Sequence, residues 1–177
     1  MIYVFYGPDD FSMREAVTKL LRAALPEEMA DLNTTRLSAD EVTADALRFA
    51  CEAAPFLADR RAVVVDRFFS RSRRGRAGKA KASDQESEPK AIAEVAEYLS
   101  RVPSNTLLVF IESDAPPKSG AVAKALEAAQ VKQQFFPTLA GAPLVRWTKA
   151  RVKSAGGEIG DQAAVMLATF VGGDLRT

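Results

Sequence analysis

The residues that first invite a chemical reading are Gly7-Pro8-Asp9-Asp10-Phe11-Ser12-Met13-Arg14, which follow the apolar run Ile2-Tyr3-Val4-Phe5-Tyr6 and open a helical pattern. A strand, a glycine turn and a helix N-terminus in that order aim backbone N–H groups at an anion. Nucleotide phosphates bind there when a lysine and a hydroxyl complete the loop. The working spacing is Gly, any four residues, Gly, Lys, then Ser or Thr. Counted from Gly7, those positions hold Ser12, Met13 and Arg14, so the close-approach glycine, the phosphate lysine and the magnesium hydroxyl are all missing. Asp9 and Asp10 add negative charge where phosphates would lie. A second place to look is the end of a later apolar run, Val63-Val64-Val65-Asp66-Arg67, where a hydrolytic site would carry Asp-Glu. Asp66 is retained, but a cation stands where the water-activating acid would be. These residues predict no nucleotide cofactor, no metal and no catalytic group.

Composition narrows the chemistry further. The 177 residues include no histidine, which removes Ser-His-Asp and Cys-His nucleophile systems, the usual imidazole acid or base, and every histidine-containing zinc site. A single cysteine, Cys51, forms no internal disulfide and fits a reducing cytoplasm. A net charge of +1 exerts no global pull on nucleic acid, so any DNA affinity would be local. The N-terminus enters directly into Ile2-Tyr3-Val4 without a basic leader, and no apolar run approaches the roughly 20 residues of a membrane span. The expectation is a cytoplasmic protein with no membrane contact.

A different kind of signal lies at Pro55-Phe56-Leu57, just after a helical pattern and just before Ala58-Asp59-Arg60-Arg61. Connecting segments run over the surface and are normally polar, so adjacent Phe and Leu there need a partner. Either both side chains fold back into the core, or they form an exposed plug that fills a hydrophobic pocket on another protein. The basic run Arg67, Arg71, Arg73, Arg74, Arg76, Lys79 and Lys81 contains no acid and is followed by a polar, acidic stretch from Ser83 to Glu88. It reads as a solvated loop, with salt-sensitive phosphate contact as the alternative. Without interleaved aromatics it offers no stacking platform for single strands.

The elements that must position these residues alternate from the first one. Strand-like runs at Ile2–Tyr6, Asn33–Leu37, Ala62–Val65, Leu107–Ile111 and Val131–Phe136 are separated by helical patterns from Asp9 or Asp10 to Pro26, Thr43 to Ala53, Ile92 to Val102 and Val122 to Ala129. That order predicts an α/β fold with a five-stranded, mostly parallel sheet covered by helices on both faces. The almost continuous apolar run Ala62–Val65 reads as the centre of the sheet. Beyond Ala140 the pattern changes to two helices, one carrying Leu144, Val145, Trp147 and Val152 and ending at Gly156-Gly157, the other running from Ala163 to Val171 and ending at Gly172-Gly173. Trp147 with Leu144 reads as packing of this appendage. The division predicted is 1–140 for the α/β domain and 141–177 for a partial helical lid.

Taken in order, four segments resemble the delta subunit of the bacterial DNA polymerase III clamp loader. They are Tyr3-Val4-Phe5-Tyr6-Gly7, the stretch from Cys51-Glu52-Ala53-Ala54-Pro55-Phe56-Leu57 through Arg61 to Val63-Val64-Val65, Leu107-Leu108-Val109-Phe110, and Gly172-Gly173-Asp174-Leu175-Arg176. The resemblance implies an ATPase-associated (AAA+-type) fold that has lost its nucleotide site. It also implies that a hydrophobic pair in the loop after the second helix enters a pocket on the sliding clamp, the beta subunit, and helps to open the ring. Carried over by position the pair is Phe56-Leu57, with Ala54 and Pro55 beside it; the order here is aromatic then aliphatic, whereas some members have the reverse. Arg176 falls on the lid arginine that senses nucleotide in active relatives. Family members continue through the rest of the lid and a collar that joins the other clamp-loader subunits, with DNA as part of the complex, so this chain is expected to be a fragment. Two other readings are weighed. A phosphoacceptor receiver domain would use Asp9, Asp10, Asp66 and Ser113 but lacks its fifth-strand lysine, and an ATPase subunit of the same complex is opposed by Ser12-Met13-Arg14.

Overall fold

The computed structural model describes residues 1–38, 40–69, 90–173 and 175. The basic residues from Arg71 to Lys81, the polar stretch after them, Asp174, Arg176 and Thr177 lie outside the described residues. In chain order the elements are β1 (Ile2–Tyr6), α1 (Asp10–Ala24), a short 3-10 turn (Glu27–Met29), β2 (Thr34–Ser38), α2 (Ala44–Glu52), β3 (Arg61–Asp66), α3 (Lys90–Leu99), β4 (Thr106–Glu112), α4 (Gly120–Ala128), β5 (Lys132–Phe135), α5 (Ala142–Ser154) and α6 (Asp161–Val171).

The five strands form one sheet in the order β2-β3-β4-β1-β5, and every pairing is parallel. Its centre is therefore β4, not the Ala62–Val65 run expected there. Both strands are apolar and fully flanked, so sequence alone cannot rank them. What separates them is that β3 has the edge strand β2 on one side, whereas β4 lies between β3 and β1 and all seven of its residues are buried. The same order sets β4 between β1 and β3, unlike the 2-1-3-4-5 order of receiver domains, in which those strands are neighbours.

Side-chain alternation divides the core into two layers. Val4, Val63, Val65, Leu108 and Phe110 point to one face, where Leu47 and Cys51 of α2, Val95 and Leu99 of α3, and Val122 and Leu126 of α4 cover them. Phe5, Val64, Val109 and Ile111 point to the other face, against Met13, Val17 and Leu21 of α1. Met13, Val17 and Leu21 recur every four residues and lie on one stripe of α1, which is how that helix finds the sheet. The edge strand β5 has all four residues exposed.

Helices α5 and α6 bury only Leu144, Thr148 and Ala164, too little for a separate core, and leave Val165, Met166, Leu167 and Phe170 of α6 exposed. They lean on α1 instead. Trp147 meets the Phe11 ring edge-on at 5.9 Å, the Arg151 guanidinium lies over the same ring at 5.4 Å, and Arg151 Nη1 donates to Glu15 Oε1 at 2.5 Å. Trp147 thus does more than pack the appendage; it joins it to the α/β layer.

Cys51 is 1% exposed, and burial pushes its thiol up to about 12. A thiol held neutral in the fold but free to ionise near its ordinary value of 9.0 when unfolded contributes stability below that pH and loses it as pH rises toward 12. At pH 8 a disulfide reagent should therefore modify Cys51 only at the rate of global unfolding, and labelling as fast as that of a free thiol would show that the α2 layer opens locally.

Candidate functional site

The strand ends provide two poles. At the C-terminal ends of β1 and β3 lies the place where an open α/β sheet takes its ligands. Gly7 is buried there with φ of +136°, its N–H donating to the Glu112 carbonyl at 3.1 Å. A Cβ at this position would stand 2.2 Å from the Phe136 carbonyl oxygen. Glycine is therefore required by close packing of the β1 turn on the segment after β5, and no phosphate is needed to explain it.

Asp9 is the N-cap of α1. Its Oδ1 accepts from the Ser12 N–H at 2.9 Å, and the residue is 8% exposed. The helix thus carries its own carboxylate where an anion would otherwise sit. Met13, in the lysine position, is 2% exposed and packed in the core beneath α1. Arg14, in the hydroxyl position, donates through Nε to Asp10 at 3.0 Å and brings Nη2 within 3.6 Å of Asp66 Oδ1. Where an ATPase would bridge a hydroxyl and the strand-end aspartate with magnesium, a guanidinium links the aspartate to the start of α1. Arg67, after Asp66, is exposed with φ of 57°, and its N–H donates to the Ile111 carbonyl at 2.7 Å. Ser113 donates to Asp114 at 2.9 Å. Among the described residues no group of three or more His, Cys, Asp or Glu is placed to hold a metal.

The opposite pole holds the segment between α2 and β3. Helix α2 is capped by Ala53, whose N–H donates to the Phe49 carbonyl, and Thr106 Oγ1 donates to the Cys51 carbonyl at 2.8 Å, anchoring the helix end to β4. The chain then turns outward. Ala54 is exposed, Pro55 is half-buried, Phe56 is 55% exposed and Leu57 is 75% exposed. Leu57 adopts φ of 48°, a left-handed conformation that costs a residue with a Cβ about 1–2 kcal/mol. From this loop to Asp66 is the length of β3, on the order of 20 Å. The two poles are therefore separate sites.

Three residues near this loop escaped the sequence reading. Asn33, read there only as the start of a strand, is 2% exposed and bonds the backbone of Phe56 on both sides: Phe56 N–H donates to Oδ1 at 2.7 Å and Nδ2 donates to the Phe56 carbonyl at 2.8 Å. Leu32 is 66% exposed immediately before Asn33, and Phe49 is 82% exposed on the outer side of α2. Phe49 was legible in principle, since it falls outside the stripe of Leu47, Ala50 and Cys51. Asn33 was not, because its partner lies 23 residues away.

Fold and site together define a parallel α/β domain of the nucleotide-binding type whose phosphate loop is closed by its own charges and whose opposite pole presents apolar side chains. The family described as DNA polymerase III, delta subunit, matches residues 3–135, and the chain belongs to that family. Among solved structures, the DNA clamp loader delta protein of Bacillus subtilis matches over 99% of this chain and 49% of its own, with a TM-score of 0.70 and 20% identity. It shares the fold, and the chain spans about half its length. A gamma-subunit-related protein of DNA polymerase III from Thermotoga maritima matches over 98% of this chain and 54% of its own, with a TM-score of 0.44 and 12% identity. No curated protein matches the chain by sequence.

Two measurements test the closed pole. Titration with a fluorescent ATP analogue and magnesium should give no saturable binding up to about 1 mM. Met13→Lys should not create it, because burying an ammonium under α1 should instead destabilise the fold by about 3 kcal/mol or more in urea denaturation.

Proposed function

We propose that this chain is a non-catalytic part of a clamp loader, whose α/β domain is a rigid mount and whose Ala54-Pro55-Phe56-Leu57 loop docks on the sliding clamp. The observation that carries the reading is the adjacent exposure of Phe56 and Leu57 at the end of a helix fixed to the sheet. Family membership supports the sliding clamp as the partner, and physical chemistry supports the mode of contact. An aromatic and an aliphatic side chain side by side fit a hydrophobic pocket, and burying each contributes about 1.5–3 kcal/mol. Together that is enough to hold a strained conformation of a ring protein. The loop is positioned for such work by backbone bonds rather than by its own side chains, which stay available to the partner.

In this reading residues 1–140 form the mount and 141–177 a partial lid. Other clamp-loader subunits supply the ATP energy, association with them runs through a collar, and DNA enters as part of the assembled complex. A nucleotide-independent role is supported by the Asp9 cap and the Arg14 link, which occupy the groups a triphosphate would use. Among the described residues no helix is long and apolar enough to cross a membrane.

The test is capture of the sliding clamp of the same organism by the purified chain. Phe56→Ser with Leu57→Ser should abolish capture while circular dichroism stays native. Phe56→Ala alone should weaken binding by about 10- to 150-fold. Retained capture by the natively folded double variant would refute the docking loop.

A further inference from the structure

We infer that Asn33 is the positioning residue of the docking loop: its buried carboxamide holds Phe56 by both backbone groups, so that Phe56 and Leu57 are presented before the partner arrives. The inference rests on the docking reading above and deepens it. Three observations bear on it.

The first is that both N–H groups and the oxygen of the carboxamide are engaged. Nδ2 donates to the Met29 carbonyl at 3.0 Å and to the Phe56 carbonyl at 2.8 Å, and Oδ1 accepts from the Phe56 N–H at 2.7 Å. The backbone of Asn33 is committed as well: its N–H donates to Met29 and its carbonyl accepts from Ala62, the second residue of β3. One residue thus ties the 3-10 turn, the starts of β2 and β3 and the loop to one another.

The second is chemical. The site needs one acceptor facing an N–H and two donors facing carbonyls at the reach of a single Cγ, which asparagine supplies. Aspartate, of the same size, would set a carboxylate against the Met29 and Phe56 carbonyls. Alanine would leave the Phe56 N–H and carbonyl without their partner in a place where Asn33 itself is 2% exposed.

The third is conformational. Leu57 is held at φ of 48°, a left-handed conformation that a leucine side chain disfavours. A strained residue persists where its surroundings over-determine it, and the fixed Phe56 peptide beside it is such a constraint. With the loop held in this form, ordering it on contact costs little, and affinity is not reduced by the fraction of time spent elsewhere.

The experiment measures amide hydrogen exchange and clamp affinity on the same chain, at a temperature where each variant is fully folded by circular dichroism. In the natural chain the Phe56 amide should exchange at least about 100-fold more slowly than in an unstructured peptide. In Asn33→Ala that protection should be lost while β4 amides stay protected, and affinity for the sliding clamp should fall by about 10-fold or more. A residue that only stabilised the fold would lower the melting temperature and leave the affinity of folded molecules unchanged. Affinity within about twofold of the natural chain in folded Asn33→Ala, while Phe56→Ser with Leu57→Ser abolishes capture, overturns the role of Asn33 and leaves the docking loop standing. Capture retained by that double variant overturns both. If Asn33→Ala does not fold, the exchange of the Phe56 amide in the natural chain decides: protection supports the inference and free exchange overturns it.

Discussion

Parallel strands cannot be joined by tight hairpins, so every connection in this sheet crosses a face, and that single constraint organises the molecule. All strands finish at one pole and start at the other. Because α1 covers one face and α2, α3 and α4 cover the other, the connecting loops are pushed to the two poles. At the finishing pole lie Gly7, Asp9, Arg14 and Asp66, and at the starting pole lie Asn33 and the loop from Ala54 to Leu57.

The two poles differ in how their polar groups are satisfied. At the finishing pole the chain uses its own charges: Asp9 takes the helix N–H group, and Arg14 stands between Asp10 and Asp66. An anion arriving there would meet acids rather than free donors. At the starting pole the backbone is satisfied by Asn33, and the large apolar side chains are left outside. Exposed Phe and Leu are ordinarily a liability for solubility; in the docking reading proposed above, a rigid backbone beneath them is what would make them usable as anchors. The contact of α5 with α1 through Phe11, Trp147, Arg151 and Glu15 belongs to neither pole and braces the side of α1 that faces away from the sheet.

Much of the architecture was legible in the residues because periodicity is a local property. Val17 and Leu21 declare a helix stripe, to which the fold adds Met13, and the continuous apolar run Val63, Val64 and Val65 declares a strand buried on both faces. The degenerate phosphate loop was equally legible, since its test is a fixed spacing from Gly7. The rank of β3 within the sheet was not, because a strand buried on both faces looks the same beside the edge strand as at the centre of the sheet. Nor was the reason for Gly7. Its glycine reads as a turn residue in sequence, yet the close approach of the Phe136 carbonyl comes from the segment just after β5, 129 residues further along the chain.

By itself the chain of residue types determined the α/β class, the number of strands, the absence of histidine chemistry and the unusual apolar pair at Phe56-Leu57, because each depends on composition or on neighbours a few positions apart. Only tertiary structure decided whether that pair turned inward or outward. The outcome depends on Asn33, which reaches Phe56 across 23 residues, and on Thr106, which holds the Cys51 carbonyl across 55. Hydrogen bonds between distant segments leave no periodic trace in a sequence, so the direction of a loop became visible only once the sheet had brought those segments together.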